Sequence, residues 1–323
     1  MQGTVGVFAF FVLLGTANQK RQHTKSGLSS FKSNVPGSGS DKQPFVDTGQ
    51  PTLFTYNILQ EFDHDPAAFT QGFEVFRESE DATPTFIEST GIWGSSTVRE
   101  VEIASGKIKR LKKLSKQDFG EGITRLHDRL YQLTWQSPKI ISYNVDNFED
   151  VKIQRTSFKD GWGITNDGSR LIIGDSTHVL YFVDPKSMRT ESSIDVTDDG
   201  KRVTWLNELE WVDGLIYANI WQRECIAQIE PSTGNVVGWV DLSGIANKVM
   251  TQMREEQGNQ APRIDVLNGI AWDEKEGKLY ITGKLWPKIY QIELRPLYVD
   301  SKTTNVKEMT DRVRQHCILP EKE

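Results

Sequence analysis

A short unit recurs five times between about Phe54 and Leu294, and this periodicity limits the folds open to the chain more than any other feature. Each occurrence opens on an element of one register: Thr70-Gln71-Gly72-Phe73, Gly120-Glu121-Gly122-Ile123, Gly161-Trp162-Gly163-Ile164, Leu206-Asn207-Glu208-Leu209 and Leu267-Asn268-Gly269-Ile270. Their second positions lie 50, 41, 45 and 61 residues apart. A second run follows in each unit, at 86–89, 130–135, 171–174, 216–219 and 279–282, and a third runs into a turn of Asp, Pro, Ser or Gly at 98–106, 179–185 and 225–234. Apolar and polar residues alternate within these runs, which marks half-buried strands. A more variable outer strand at 109–114 and 236–242 brings the unit to four. Four strands in about 48 residues make one blade of a β-propeller, so the expected fold class is all-β, a five-bladed β-propeller with four-stranded blades. The fifth unit has only three strands before Pro296, and residues 56–60 are expected to supply the missing one, so that an N-terminal strand closes the ring and removes a sheet edge. The longest spacing contains Ile245, Val249 and Met253 at helical intervals, which predicts a surface helix over 245–257.

The chain of 323 residues is then divided into a propeller at 52–296, with other segments on either side. Residues 1–17 hold no charged side chain and an apolar run of 11 at 5–15, followed by Gly15-Thr16-Ala17. That run is too short to span a bilayer and reads as a signal peptide or a short signal anchor. Residues 18–51 are rich in Ser, Gly, Lys, Gln and Pro and read as a flexible polar spacer, while 297–323 are expected to form a loosely packed C-terminal tail. Past residue 48 the charge balance is 33 basic against 42 acidic side chains, which argues against nucleic acid as a partner. The two cysteines, Cys225 and Cys317, exclude a four-Cys zinc site and leave one disulfide open. Among five histidines none pairs at metal-ligand spacing.

In a propeller the innermost strands begin at one mouth of a central channel, so equivalent repeat positions form a ring. That ring reads Gln71, Glu121, Trp162, Asn207 and Asn268, and the ends of the second strands add Trp135, Asp175, Trp221 and Lys284 at the same mouth. Polar residues would line a water-filled channel in any case. The mixture of a carboxylate, an ammonium, carboxamides and indoles also equips a pocket with an acid/base, an oxyanion partner and an apolar wall. Trp211, Trp239 and Trp272 occupy strand positions and are expected to pack between blades.

Several stretches carry a resemblance: His64-Asp65-Pro66 with Phe69-Thr70-Gln71-Gly72, Phe119-Gly120-Glu121-Gly122, Leu133-Thr134-Trp135, Leu206-Asn207-Glu208-Leu209, Asn219-Ile220-Trp221, and Leu267-Asn268-Gly269 followed by Thr282-Gly283-Lys284-Leu285-Trp286-Pro287. Over about residues 55–296 the chain resembles the plant-type glutaminyl-peptide cyclotransferases. The resemblance implies a secretory enzyme that converts N-terminal glutamine of peptides and proteins to pyroglutamate with release of ammonia, without a catalytic metal or required cofactor. It places family site residues on Phe69, Gln71, Phe119, Glu121, Trp135, Trp162, Asn207, Trp221 and Lys284. Trp93, the uncharged n-region and the lack of any glycosylation sequon depart from the pattern.

The reaction asks the substrate's α-amine, whose pKa is roughly 7.7–8.0, to lose a proton and attack its own γ-carboxamide. Glu121 is expected to shuttle that proton to the departing nitrogen, and Lys284 with Asn207 or Gln71 to stabilise the oxyanion. Phe69, Phe119, Trp135, Trp162, Trp221 and Asn268 are expected to bind the substrate. Tolerance of whatever residue follows glutamine is expected, because no groove motif extends beyond the mouth. The expected protein is a monomer of the secretory pathway without stable membrane association after cleavage, or else one anchored in the endomembrane system through residues 5–17. Two rival readings use the same mouth: a calcium-dependent, lactonase-like hydrolase with Glu121, Asn207, Asn268 and Asp175 as ligands, and a non-catalytic peptide-binding propeller. A structural calcium on the axis is left open.

Overall fold

Each repeat unit becomes a run of short antiparallel strands joined by tight turns in the computed structural model, which describes residues 50–258, 263–297 and 306–320. All of these belong to the unit Asp47–Glu323. The leader at 1–17 and nearly all of the spacer at 18–51 lie outside the described residues, as do 298–305 and 321–323 of the tail.

After β1 (Thr52–Asp63), one sheet is formed in order by β2 (Thr70–Phe76), β3 (Thr85–Thr90), β4 (Thr97–Glu102) and β5 (Ile108–Lys113). The next is β6 (Gly120–Leu126), β7 (Arg129–Thr134), β8 (Lys139–Asn144) and β9 (Val151–Arg155), followed by β10 (Ile164–Asn166), β11 (Leu171–Gly174), β12 (Val179–Val183) and β13 (Thr190–Asp195). A small hairpin, β14 (Thr197–Asp198) and β15 (Lys201–Arg202), leads to β16 (Leu206–Val212), β17 (Leu215–Ile220), β18 (Cys225–Ile229) and β19 (Val236–Asp241). Helix α1 (Ile245–Gln257) precedes β20 (Leu267–Asp273), β21 (Lys278–Gly283) and β22 (Lys288–Pro296), and α2 (Val306–Cys317) follows. The fold is therefore mostly β and propeller-like, with small antiparallel sheets arranged about their first strands.

The expected N-terminal strand is β1, paired antiparallel with β22 from Phe54↔Pro296 to Asp63↔Lys288. It also runs parallel to β19 at Thr52↔Gly238 to Phe54↔Val240, which joins two four-stranded groups into one eight-stranded sheet. The helix over 245–257 forms because Ile245, Val249 and Met253 are buried together against the sheet.

The five first strands touch one another in the cyclic order β2, β6, β10, β16, β20 and back to β2. Glycine after the ring residue makes this approach feasible. A Cβ at Gly72 would stand 2.3 Å from the Ile123 nitrogen, and one at Gly163 only 1.9 Å from the Asn207 oxygen. Where the fourth unit has Glu208 instead, its carboxylate accepts from Phe73 N at 3.3 Å and Ile270 N at 2.8 Å, tying β16 to β2 and β20. Apolar side chains between neighbouring sheets form the core, as Leu133, Ile140, Ile164 and Ile173 do between the second and third.

The C-terminal region differs from the loosely packed tail expected of it. Cys317 is bonded to Cys225, and Thr310, Val313, Arg314 and Cys317 of α2 are buried. Arg314 donates from Nη2 and Nε to Asp198 Oδ1 and Oδ2 at 2.6 and 2.8 Å, and Trp239 Nε1 donates to Asp198 Oδ2 at 2.9 Å. The Asp198-Asp199-Gly200-Lys201 turn thus carries a buried ionic anchor for the helix.

Candidate active site

The repeat's second position is special because the strand ladder breaks there. Register shifts fall between Thr70 and Gly72, Gly120 and Ile123, Leu206 and Leu209, and Leu267 and Ile270. Such bulges leave a residue out of the ladder and re-aim its side chain. Gln71, Glu121, Asn207 and Asn268 occupy them. The side chains then reach toward neighbouring first strands: Gln71 Nε2 donates to Glu121 Oε1 at 3.0 Å, and Asn268 Nδ2 to Thr70 O at 3.0 Å. In the third unit Trp162 stands just before β10, with its N–H on Gly174 O at 2.9 Å.

Glu121 is backed by a relay of buried groups. Tyr143 OH donates to Gln132 Oε1 at 2.7 Å, Gln132 Nε2 to Ser89 Oγ at 2.6 Å, and Ser89 Oγ to the Glu121 carbonyl. Burial raises the Glu121 carboxyl well above the usual carboxylate range; Lys284 pulls it partly back and Asp160 adds to the rise. Burial likewise lowers the Lys284 ammonium below its usual value, against the pull of Glu121 and Asp265. Two groups of opposite sign, coupled through a low-dielectric site, are thereby drawn toward one another in pKa.

Lys284 directly follows β21 and is fixed on both sides. Its N–H donates to Val266 O at 2.9 Å and its carbonyl accepts from Asp265 N at 2.9 Å, while Leu285 N donates to Ala68 O at 2.7 Å. Behind it, His64 places Nδ1 2.6 Å from Trp286 O and Nε2 3.0 Å from Glu88 Oε1. Glu88 also accepts from Arg99 Nε at 2.8 Å and Thr70 Oγ1 at 2.7 Å, and Arg99 Nη1 reaches Asp65 at 2.8 Å. The His64-Asp65-Pro66 stretch therefore clamps the segment after Lys284 to the start of β2. Phe69, from that start, lies under Lys284 Nζ at 4.9 Å from its ring centroid.

The aromatic residues form two groups. Phe69 contacts Phe119 edge-on at 6.1 Å, Phe119 contacts Trp135 at 5.4 Å and Trp93 at 5.7 Å, and Trp93 meets Trp135 at 6.3 Å. Trp162, Trp221 and Trp205 make the second group, with centroids 5.0–6.2 Å apart. Backbone bonds Trp135 N→Phe119 O, Trp221 N→Trp205 O and Gly91 N→Phe69 O place these residues at equivalent ends of their sheets. Gln71 Oε1, Asn207 Nδ2, Asn268 Oδ1 and Trp162 Nε1 are buried without a hydrogen-bond partner among the described residues. They offer two acceptors and two donors.

Asp175, expected at the mouth, is committed elsewhere: it accepts from Thr177 Oγ1 at 2.5 Å and Tyr181 OH at 3.1 Å. Trp205, Trp93 and Asp160 were not expected in the site. Trp205 and Asp160 sit two residues before the ring position, as Phe69 and Phe119 do, so the repeat register itself points to them. Trp93 has a subtler signal: the position filled elsewhere by Trp135, Trp221 or Lys284 is Gly91 here, and a Cβ at Gly91 would stand 2.3 Å from the Phe119 ring.

Among the described residues no group of three or more His, Cys, Asp or Glu side chains is placed to hold a metal, and no helix is long and apolar enough to cross a membrane. The profile of the family described as glutamine cyclotransferase matches residues 33–294. The chain is 42% identical over 262 residues to the glutaminyl-peptide cyclotransferase of Arabidopsis thaliana, covering 81% of this chain and 76% of that one. The crystal structure of Myxococcus xanthus glutaminyl cyclase superposes with a TM-score of 0.66 at 31% identity, over 77% of this chain and 100% of the other.

Proposed function

The chain belongs to the glutamine cyclotransferase family, and from that premise we propose that it cyclises N-terminal glutamine of peptides and proteins to pyroglutamate, releasing ammonia. The observation that carries the assignment of roles is the buried Gln71–Glu121 contact beside Lys284. The carboxyl's raised pKa brings it toward that of the amine it must deprotonate, which favours proton transfer in both directions. Glu121, ionised when substrate enters, takes a proton from the α-ammonium. The amine nitrogen then bonds to the carboxamide carbon, Cδ, and, once that first proton has passed to solvent, Glu121 moves the ring nitrogen's second proton to the carboxamide nitrogen, which leaves as ammonia while the C–O double bond re-forms.

Lys284 Nζ and Asn207 Nδ2 are assigned to the oxyanion. Gln71 is better suited to orienting Glu121, because its nitrogen is engaged there. The unpartnered acceptors Gln71 Oε1 and Asn268 Oδ1 suit the substrate's N–H groups. Phe69, Phe119, Trp135, Trp162 and Trp221 form the walls that hold glutamine in a ring-forming conformer and exclude water, an orientation effect worth several kcal/mol.

The architecture in this reading is a five-bladed propeller over 52–296 whose fifth blade takes β1 as its outer strand. The reaction is assigned no metal. Asp175, held by Thr177 and Tyr181, and the ammonium acting on Glu121 support this reading over a calcium-dependent hydrolase. The disulfide supports an oxidising, secretory compartment, and a monomer is the proposed state.

The test is incubation with a Gln-initiated peptide and its N-acetylated counterpart, with and without a zinc-selective heterocyclic chelator. The expected result is one equivalent of ammonia and the matching mass loss from the free peptide only, with or without chelator. Equal loss from the acetylated peptide would mean another reaction. Turnover abolished by the chelator and restored by zinc alone would overturn the metal-free assignment.

A further inference from the structure

Trp93 is 49% exposed and its neighbour Ile92 43%, yet the loop that carries them is ordered by specific bonds. Ser96 Oγ donates to Ile92 O at 2.8 Å and accepts from Gly120 N at 3.0 Å, and Ser95 N donates to Ile92 O at 3.1 Å. A half-exposed indole held in place in this way adds little to the core. It does continue a line of rings that begins at the reactive end of the pocket: Lys284 Nζ over Phe69, Phe69 against Phe119, and Phe119 against both Trp93 and Trp135. Lys284 and Phe119 are buried, at 5% and 8% exposed, Phe69 between them is half-buried, and Trp93 at the outer end is 49% exposed.

We propose that Trp93, with the outer face of Trp135, forms a subsite for the side chain of the residue that follows the substrate glutamine, and that this subsite favours aromatic and large apolar side chains. The inference rests on the cyclisation reading above. A substrate whose first residue reaches Glu121 and Lys284 has its second α-carbon about 3.8 Å nearer the mouth. There the two indoles, 6.3 Å apart and tilted by 39°, present apolar faces. No charged group takes part in either ring contact, so an acidic second residue gains nothing from them. The subsite sets a preference on top of the broad tolerance expected from the short pocket. It also explains Gly91: the absence of a side chain there leaves room for Phe119, and Trp93 folds over the same ring.

The experiment compares kcat and KM for Gln-Phe and Gln-Gly peptides by ammonia release in the wild type, Trp93→Ala and Trp93→Phe. The wild type is expected to favour Gln-Phe by roughly three- to tenfold in kcat/KM, the range that one aromatic pair gives. In Trp93→Ala that ratio should fall to about one, through KM for Gln-Phe rather than kcat, and Trp93→Phe should restore part of it. A wild type without the preference, or a Trp93→Ala enzyme that keeps it, overturns the subsite while leaving the cyclisation reading intact. Absence of ammonia from both peptides with the wild type overturns both.

Discussion

Glu121 and Lys284 derive their chemistry from the same cause: each is buried, and burial disfavours each charge. A carboxyl with a raised pKa must still be ionised to accept the substrate's proton, so kcat/KM should fall as pH drops through its value. A lysine with a lowered pKa loses its ammonium earlier than usual, so the alkaline fall should begin below the ordinary lysine range. The resulting bell belongs to the pair rather than to either residue. Lys284→Met should remove the alkaline limb set by this group and lower kcat by roughly a hundred- to a thousandfold, the usual cost of losing one oxyanion donor. A pH profile of that variant matching the wild type would reassign the oxyanion to other donors. The ring residues were legible in the sequence because the ladder breaks at one repeat position, which leaves a polar residue where a strand would take an apolar one. Trp205 and Asp160 were equally encoded, two places upstream, but that position reads Phe69, Phe119, Asp160, Trp205 and Val266 in the five units, so residue type alone marks no pattern. Only the register relates them.

At the scale of elements, β1 and α1 were legible because each solves a problem visible in the sequence: a blade lacking a strand, and an apolar stripe at helical spacing within a long gap. Helix α2 was not. Its apolar residues Val306, Met309, Val313 and Cys317 make only a thin stripe, and its docking depends on Cys225 and Asp198, which are distant in sequence. The bond closes a loop with a sequence separation of 92, so removing it enlarges the unfolded ensemble as well as releasing the helix. The Cys225→Ser/Cys317→Ser double variant should be less stable by about 2–5 kcal/mol in denaturant titration. Trp205 should be affected too, since its Nε1 donates to Pro320 O at 3.3 Å just beyond α2. The expected outcome is a lower midpoint with an altered Trp fluorescence spectrum; an unchanged midpoint would mean that the Arg314–Asp198 pair holds the helix unaided.

Across the whole molecule, the inner strands are tied by carboxylates that also make stability depend on pH. Glu74 accepts from Arg125 N at 2.9 Å and Thr124 Oγ1 at 3.2 Å, Glu208 from Phe73 and Ile270, and Glu210 from Trp272 N at 2.9 Å. Burial pushes the Glu74 carboxyl up to about 7, and Glu208 and Glu210 well above the usual range. A folded-state pKa above the unfolded one means that the folded protein holds the extra proton. This contribution is complete below about 4.5 and is lost as pH rises through about 7, amounting to roughly 3 kcal/mol for Glu74. Glu88 acts in the opposite sense. Burial would raise it, but Arg99 and His64 hold it far below the usual range, so its contribution is lost on acidification below about 4.5. The Tm should therefore be higher near pH 5.5 than at pH 8, and Glu74→Gln should flatten that slope; a Tm that rises from pH 5.5 to 8 would contradict it. The same ring of first strands sets Gln71 of one repeat unit on Glu121 of the next, and Lys284, just after β21, acts on the same carboxylate. Its role is tested most directly by the turnover of Glu121→Gln on a Gln-initiated peptide, beside a melting curve. General acid–base catalysis is worth about 10²–10⁴-fold, so kcat should fall at least about a hundredfold with Tm close to wild type. Retention of more than about a tenth of wild-type turnover by a folded Glu121→Gln protein would contradict the proton shuttle.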